Sequence, residues 1–394
     1  MATIDKYEVK AGIRYYVRYV KPDGSQGFKR GFRTVEAARF WASEVEVQKH
    51  TGSYVDPKHG KTRVGSLAEA WLALKEAKLK PSAYRPLASA WKIHVEPKWG
   101  QWALADIETT DVEDWITWMV SEIRDPQDAE KVIKKPYSAT TVIRAHSVLA
   151  GILDRAARDR RIAGNKARAV ENLPRKQRRP HVYLSHAQVD AFAAASGERW
   201  STLVYTLAYT GLRWGEVTAL RVQDLNLLRR RVNVSRNVVQ VGSTWHVGTP
   251  KSGKSRTVAV PGFVAELLAA QCVGKSMDDL VFTAPRSGEW IRRPSINTSW
   301  FRAAAEACGV VGITPHDLRH TAASLAVQSG ANVKVVQAML GHESAALTLD
   351  VYADLFDEDL DTVAAAMDAA RNASLRELRV TSPDQKLITA SKTV

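Results

Sequence analysis

Residues 248–255 read GTPKSGKS and satisfy G-x-x-x-x-G-K-[ST], the loop that cradles nucleotide phosphates. Three other segments also carry reactive side chains. YTLAYTGLRWGEVTALRVQDL sets Arg213 and Glu216 at i and i+3 near a helix start. ITPHDLRHTAASLAVQSG sets His316, Arg319 and His320 on neighbouring turns of a helix, and QAMLGHESAALTLDVYADL holds His342 with Tyr352 ten residues on. A phosphate loop needs a buried strand before it and a helix straight after it, whose N-terminal amides hold the phosphates. Here Arg256-Thr257-Val258-Ala259-Val260 alternates at period two and Pro261 interrupts, so a strand follows instead. The preceding RRRVNVSRNVVQVGSTWHVG is also β-like, with a hairpin signal at Gly242-Ser243. GTPKSGKS is therefore expected at a turn between two antiparallel strands. A lysine at such a tip can offer a cation or a proton to a phosphate in a groove.

Together the segments spell T-G-x-R-x-x-E-x-x-x-L, then H-x-L-R-H-T, then L-G-H-x-x-x-x-x-T-x-x-x-Y, in that order. This set resembles the tyrosine recombinase (phage integrase) family over roughly residues 180–370. The resemblance implies a catalytic set of Arg213, Lys251, His316, Arg319, His342 and Tyr352, with Glu216 and His320 in support. Lys251 fits the family's K-x-x-x-x-R-x-V pattern through Arg256 and Val258, and Lys254 is its rival. The chemistry suits each residue type. A tyrosine hydroxyl attacking a DNA phosphodiester builds negative charge on the non-bridging oxygens, which Arg213 and Arg319 can clamp bidentately. Losing one such donor costs on the order of 3 kcal/mol in the barrier. Tyrosine has a pKa of about 10, so a base helps, and His316 is the candidate. Lys251 would protonate the leaving 5′-oxygen and His342 would hydrogen-bond the phosphate. Glu216 would orient Arg213, and His320 would support its helix. The 3′-phosphotyrosine conserves the bond energy, so neither a nucleotide, a metal nor any other cofactor is expected.

The elements that must position this set follow from patterning. Period-two alternation over Arg14–Val20, a turn at Pro22-Asp23-Gly24, and a second strand through Phe28–Arg33 precede the amphipathic VEAARFWASEVEVQKH. This predicts a small α+β domain over 1–55, with Arg14, Arg18, Lys29, Arg30 and Arg33 lining one DNA-facing side; it resembles the arm-binding domains of phage integrases. A linker over 56–65 and an all-α core-binding domain over 66–172 come next. Helices there are expected to start at Ser66, at a Thr110–Glu113 capping box and at Ser138. Thr140, Thr141, Arg144 and Ser147 would touch DNA from the last of these. The tryptophans, twelve in all, are expected mainly in cores. Between Arg155 and Arg179 ten basic residues face two acidic ones. That run ends in a basic linker (173–182) whose Arg175, Lys176, Arg178 and Arg179 could track a phosphate backbone. A mainly α catalytic domain with a small antiparallel sheet spans 183–375, opening on a Ser185–Gln188 box, and a tail covers 376–394.

Over the 394 residues, 56 Lys and Arg against 42 Asp and Glu give a net charge of +14, which points to a polyanionic partner, nucleic acid first. Two cysteines, Cys272 and Cys308, lack ligand spacing and fit reduced thiols. The N-terminus has no apolar signal region and no run reaches a membrane span, so no membrane role and a cytoplasmic location in a bacterial host are expected. The resemblance implies a homotetramer on double-stranded DNA, with core and arm attachment sites. A host DNA-bending protein and an excisionase are further partners it suggests. A transposon-type or chromosomal recombinase shares the same residues. A catalytically inactive DNA-binding regulator stands as the alternative from another class.

Overall fold

In the computed structural model, residues 2–51, 54–177, 181–250, 253–295, 298–352 and 360–380 are described. The chain divides into two compact units, 1–179 and 180–394. The first opens with β1 (Thr3–Val9), β2 (Gly12–Val20) and β3 (Gln26–Phe32), antiparallel in that order. Alternation along β2 buries Val17 and Tyr19, while α1 (Val35–His50) buries Ala38, Ala42 and Val45 behind a Thr34 cap. The first of these strands was not expected from the sequence.

The same alternation corrects the basic face. Arg30 pairs with Tyr16, but Lys29 pairs with Val17. Consecutive strand residues point to opposite faces, so Lys29 lies apart from Arg14, Arg18 and Arg30. Arg33 is exposed just before the Thr34 cap. The expected linker is also more ordered than a tether. Lys21 pairs with Asp56 at 2.6 Å, and α2 (Pro57–Gly60) follows directly.

Next come α3 (Val64–Lys78), α4 (Pro81–Ala90), a wide helical turn at Trp91–Val95, α5 (Glu96–Trp99) and α6 (Thr109–Val120). Two helix starts differ from expectation. The Val64 N–H bonds to the Trp102 carbonyl, which fixes the entry of α3 two residues ahead of Ser66. Glu108 is still extended, so the box of α6 forms from Glu108 and Asp111, not from Thr110 and Glu113. The helical region is not all-α either: β4 (Ile123–Asp125) and β5 (Asp128–Lys134) form a hairpin. Its turn is held by Asp125, whose carboxylate accepts the Gln127 N–H at 3.0 Å. In α7 (Ala139–Arg158) the Ser138 hydroxyl accepts the Thr141 N–H, as the sequence predicts. Val142, Ala145, Val148, Leu149 and Ile152 face the core; Thr140, Arg144 and Ser147 are exposed, and Thr141 is half-buried. Trp71, Trp91, Trp99 and Trp115 are core residues here, each worth a few kcal/mol of buried apolar surface, roughly 25 cal/mol per Å². Arg175 and Lys176 are exposed and irregular, while Arg178 and Arg179 lie outside the described residues.

The second unit starts at α8 (His186–Ala195), where Ser185 and Gln188 form the expected box, followed by α9 (Glu198–Thr210) and α10 (Trp214–Val217). Five strands follow: β6 (Leu225–Asn226), β7 (Arg231–Val234), β8 (Asn237–Val241), β9 (Thr244–Gly248) and β10 (Arg256–Ala259). The β8–β9 hairpin turns at Gly242, as predicted. GTPKSGKS, however, does not close a hairpin: β9 pairs with β8, while β10 crosses to β7 in a separate sheet of order β10-β7-β6. Val258 and Val232 are buried partners in that sheet, and their burial selects the pairing. The remaining helices are α11 (Gly262–Gln271), α12 (Trp300–Ala307), α13 (Pro315–Gln328), α14 (Val333–Leu340), α15 (Ala345–Tyr352) and α16 (Leu360–Val380). The last of these carries helix through a stretch that the sequence left unpatterned. Among the described residues no helix is long and apolar enough to cross a membrane.

Candidate active site

Gly211 ends α9 with φ +65°, and a Cβ there would sit 2.6 Å from a Leu340 methyl, so the turn requires glycine. That turn delivers Arg213 to the start of α10. Glu216, fully buried, accepts the Arg213 backbone N–H and one guanidinium N–H, both at 2.9 Å. It also takes a fork of two N–H groups from Arg256, at 3.0 and 2.7 Å. Burial works to raise the Glu216 pKa, but the Arg256 hydrogen bond and charge, then Arg213, hold it below its ordinary value. The carboxylate is thus ionised at neutral pH. The orienting role expected of Glu216 has its geometry here; Arg256 was not singled out from sequence. Its position in K-x-x-x-x-R-x-V was the available signal.

Thr314 and Asp317 box the start of α13, with Pro315 in the first turn. The helical spacing then puts Arg319 inside and His316 with His320 on one stripe. Arg319 is 2 % exposed; its two terminal nitrogens donate to the Gly211 carbonyl at 2.5 Å and the Leu340 carbonyl at 2.6 Å. These bonds tie α9, α13 and α14 together and use two of its five N–H donors. Burial, then the Arg213 charge, lowers its pKa to about 9, which leaves it cationic at neutral pH.

Tyr352 ends α15 almost fully buried, with its hydroxyl 2.7 Å from His320 Nδ1. The side chain in contact with the tyrosine is thus His320, not His316. The i, i+4 spacing leaves the His316 ring 4.7 Å from that of His320, and His316 remains open to solvent on one side. His342 Nδ1 is 3.0 Å from Thr348 Oγ1, and its ring lies parallel to that of Tyr352 at 6.4 Å. Burial lowers His316 and His342 to about 4 and His320 to about 3, with neighbouring cationic or histidine groups adding to it. All three imidazoles are therefore neutral at pH 7. Burial raises the Tyr352 pKa, against the opposing pull of Arg319, so the phenol keeps its proton in the free protein.

Lys251 lies outside the described residues. Lys254, its rival, lines the same cleft as Arg256, Lys334 and His342. The structure thus gathers Arg213, Glu216, His316, Arg319, His320, His342 and Tyr352 into one site, drawn from α10, α13, the turn after α14 and α15.

Residues 183–359, which contain every one of these groups, match the phage integrase family. Over these residues the chain is a tyrosine recombinase of the phage integrase family. Among its relatives is the integrase of Mycobacterium phage L5, 27 % identical over 345 residues that span 78 % of this chain and 91 % of that protein. The recombinase shares its fold with the Tn1549 transposon integrase in complex with transposon right end DNA, at TM-score 0.62 and 18 % identity over 77 % of this chain and 100 % of that one. It also shares it with a lambda integrase tetramer bound to a Holliday junction, at TM-score 0.52 and 16 % identity over 86 % of this chain and 96 % of that one. As a tyrosine site-specific recombinase, it is an enzyme of DNA strand breakage and rejoining.

Proposed function

We propose that this recombinase integrates and excises phage DNA at attachment sites, with Tyr352 as the nucleophile. The observation that carries the reading is the pocket in which the Tyr352 hydroxyl meets His320, with buried Arg319 and Glu216-held Arg213 nearby. In the reaction Tyr352 Oη bonds to phosphorus, the P–O5′ bond breaks, and the phenolic proton leaves to an imidazole. His320 is placed to take it. His316, open to solvent, is left to face the phosphate or pass the proton on. Arg213 and Arg319 clamp the non-bridging oxygens with His342, and Lys251 protonates the 5′-oxygen. Attack by a 5′-hydroxyl on the 3′-phosphotyrosine reverses these steps with the partner strand, so the reaction passes through a four-way junction without nucleotide, metal or other cofactor.

Four protomers would act on two double-stranded DNA sites. The open face of the N-terminal sheet (Arg14, Arg18, Arg30) would grip arm sites. The exposed Thr140, Arg144 and Ser147 of α7, with half-buried Thr141 beside them and Arg175 and Lys176, would grip core sites. A host DNA-bending protein and an excisionase would set direction, in the cytoplasm of a bacterial host. The phage L5 relative, matched over most of both chains, favours phage integration over transposition.

A nicked suicide substrate built from the DNA flanking the gene tests this. A covalent protein–DNA adduct is expected with EDTA present and ATP absent, and none from Tyr352→Phe. An adduct from the Phe variant would overturn the nucleophile assignment. Comparing Lys251→Ala with Lys254→Ala in the same assay identifies the general acid, with the larger loss expected for Lys251.

A further inference from the structure

Arg256 joins three parts of the site that are far apart in sequence. Its two terminal nitrogens fork onto Glu216, 40 residues earlier, and its Nε donates to the Met339 carbonyl at 3.2 Å, 83 residues later. Met339 lies three residues before His342, and the turn between them presses on the same side chain. Gly341 has φ +64°, and a Cβ there would lie 2.8 Å from Arg256 Cδ. The side chain is only 11 % exposed, so both contacts are made largely away from water. These partners are not general core. One is the carboxylate that holds Arg213, and the other is the chain segment that presents His342.

The charge balance gives Arg256 a further part. A fully buried carboxylate shared between two arginines leaves Arg213 only partly engaged, with donors to spare for a phosphate. With Arg256 removed, Arg213 would be the one cation left hydrogen-bonded to Glu216 among the described residues. Glu216 would then either draw the Arg213 guanidinium fully onto itself or take up a proton. A lysine carries the charge but cannot make the fork and the carbonyl bond together.

We propose that Arg256 is a positioning residue for recombination, setting the Arg213 guanidinium and the His342 turn on the same phosphate by holding Glu216 and the Met339 carbonyl. The proposal rests on the assignment of Arg213 and His342 to the scissile phosphate. Displacing such groups by about 1 Å costs about 10²-fold in rate.

Single-turnover adduct formation on the suicide substrate, run with wild type first, tests it. If the wild type forms no Tyr352-dependent adduct, the broader assignment fails. If it does, the Arg256 variants judge this proposal alone. Arg256→Ala is expected to slow adduct formation roughly 10- to 100-fold at saturating DNA, with DNA affinity within about threefold of wild type. The acid limb of its pH–rate profile should move to higher pH, because Glu216 must ionise without its principal partner. Arg256→Lys should remain roughly tenfold slow. Arg256→Ala with Glu216→Gln should lose less than the product of the two single losses, since the uncompensated buried charge is gone. An Arg256→Ala rate within about twofold of wild type would overturn the proposal, as would a deficit erased by raising DNA, or an unmoved acid limb with multiplicative losses. Should Arg256→Ala not fold, Arg256→Lys carries the same comparison, and a wild-type rate from it overturns the proposal.

Discussion

Two corners of one pocket handle charge in opposite ways. Around Glu216 everything is ionised, with a buried carboxylate held by Arg213 and Arg256. Around Tyr352 the groups that can exchange a proton are neutral, with a protonated phenol against His320 and two further imidazoles whose pKa values burial has lowered. The first corner is built before substrate arrives, as an anion site must be if it is not to reorganise during the reaction. The second keeps proton acceptors uncharged beside arginines that would repel a second cation. Placing fixed positive charge and movable protons on separate elements lets burial serve both. It holds the ion pair in a low dielectric and it keeps the histidines neutral.

Breaking the charged corner should have the largest effect. Arg213→Ala is expected to slow adduct formation by about 10²- to 10³-fold at saturating DNA, measured in single turnover across pH 6–9. A loss smaller than that from any histidine variant would reverse the ranking of the two corners.

In the neutral corner, His320→Asn keeps a polar group near the position of Nδ1 but is no base, and a loss of about 10²-fold is expected. His320→Phe should lose more, because the tyrosine hydroxyl then has no partner. Equal losses for the two, or a larger loss from the equivalent His316 variants, would return the proton to His316.

Stability should separate the corners by pH. The folded-state pKa of His320 lies below its ordinary 6.5, so below pH 6.5 the unfolded chain binds the proton that the folded chain refuses. Stability is then lost as pH falls, by about 2 kcal/mol at pH 5 from this one buried group. The Glu216 pKa is also lowered, but for an acid this favours the charged folded form, so its contribution is present above the ordinary carboxylate pKa and is lost only as pH falls through its depressed folded value. Thermal melts should therefore weaken between pH 6.5 and 5 in wild type and less in His320→Asn, while Arg256→Lys alters the curve only at more acid pH. Coincident changes would mean the corners titrate as one network.

The smallest effect is expected from Thr348→Val, which removes the partner of His342 Nδ1 from a fully buried position. One neutral hydrogen bond is worth about 1 kcal/mol, so a loss of roughly threefold to tenfold in rate should follow.

The sequence alone carried the reactive residues and their order, because each motif is local. Helical spacing places His316 and His320 on one stripe with Arg319 turned inward, and period-two alternation after Ser255 removes the nucleotide loop. Ser138 and Ser185 start their helices because a cap needs only the next three residues. The sequence pattern misses two local features, the opposite faces of Lys29 and Arg30 and the β4–β5 hairpin inside a helical region, and one distant pairing, that of β10 with β7 and not β9. Tertiary structure alone decided that His320 meets Tyr352 across 32 residues, that Arg256 shares Glu216, and that Arg319 ties Gly211 to Leu340. Such contacts depend on which buried faces pack together. Packing energy is shared among many side chains, whereas a motif is written in a few.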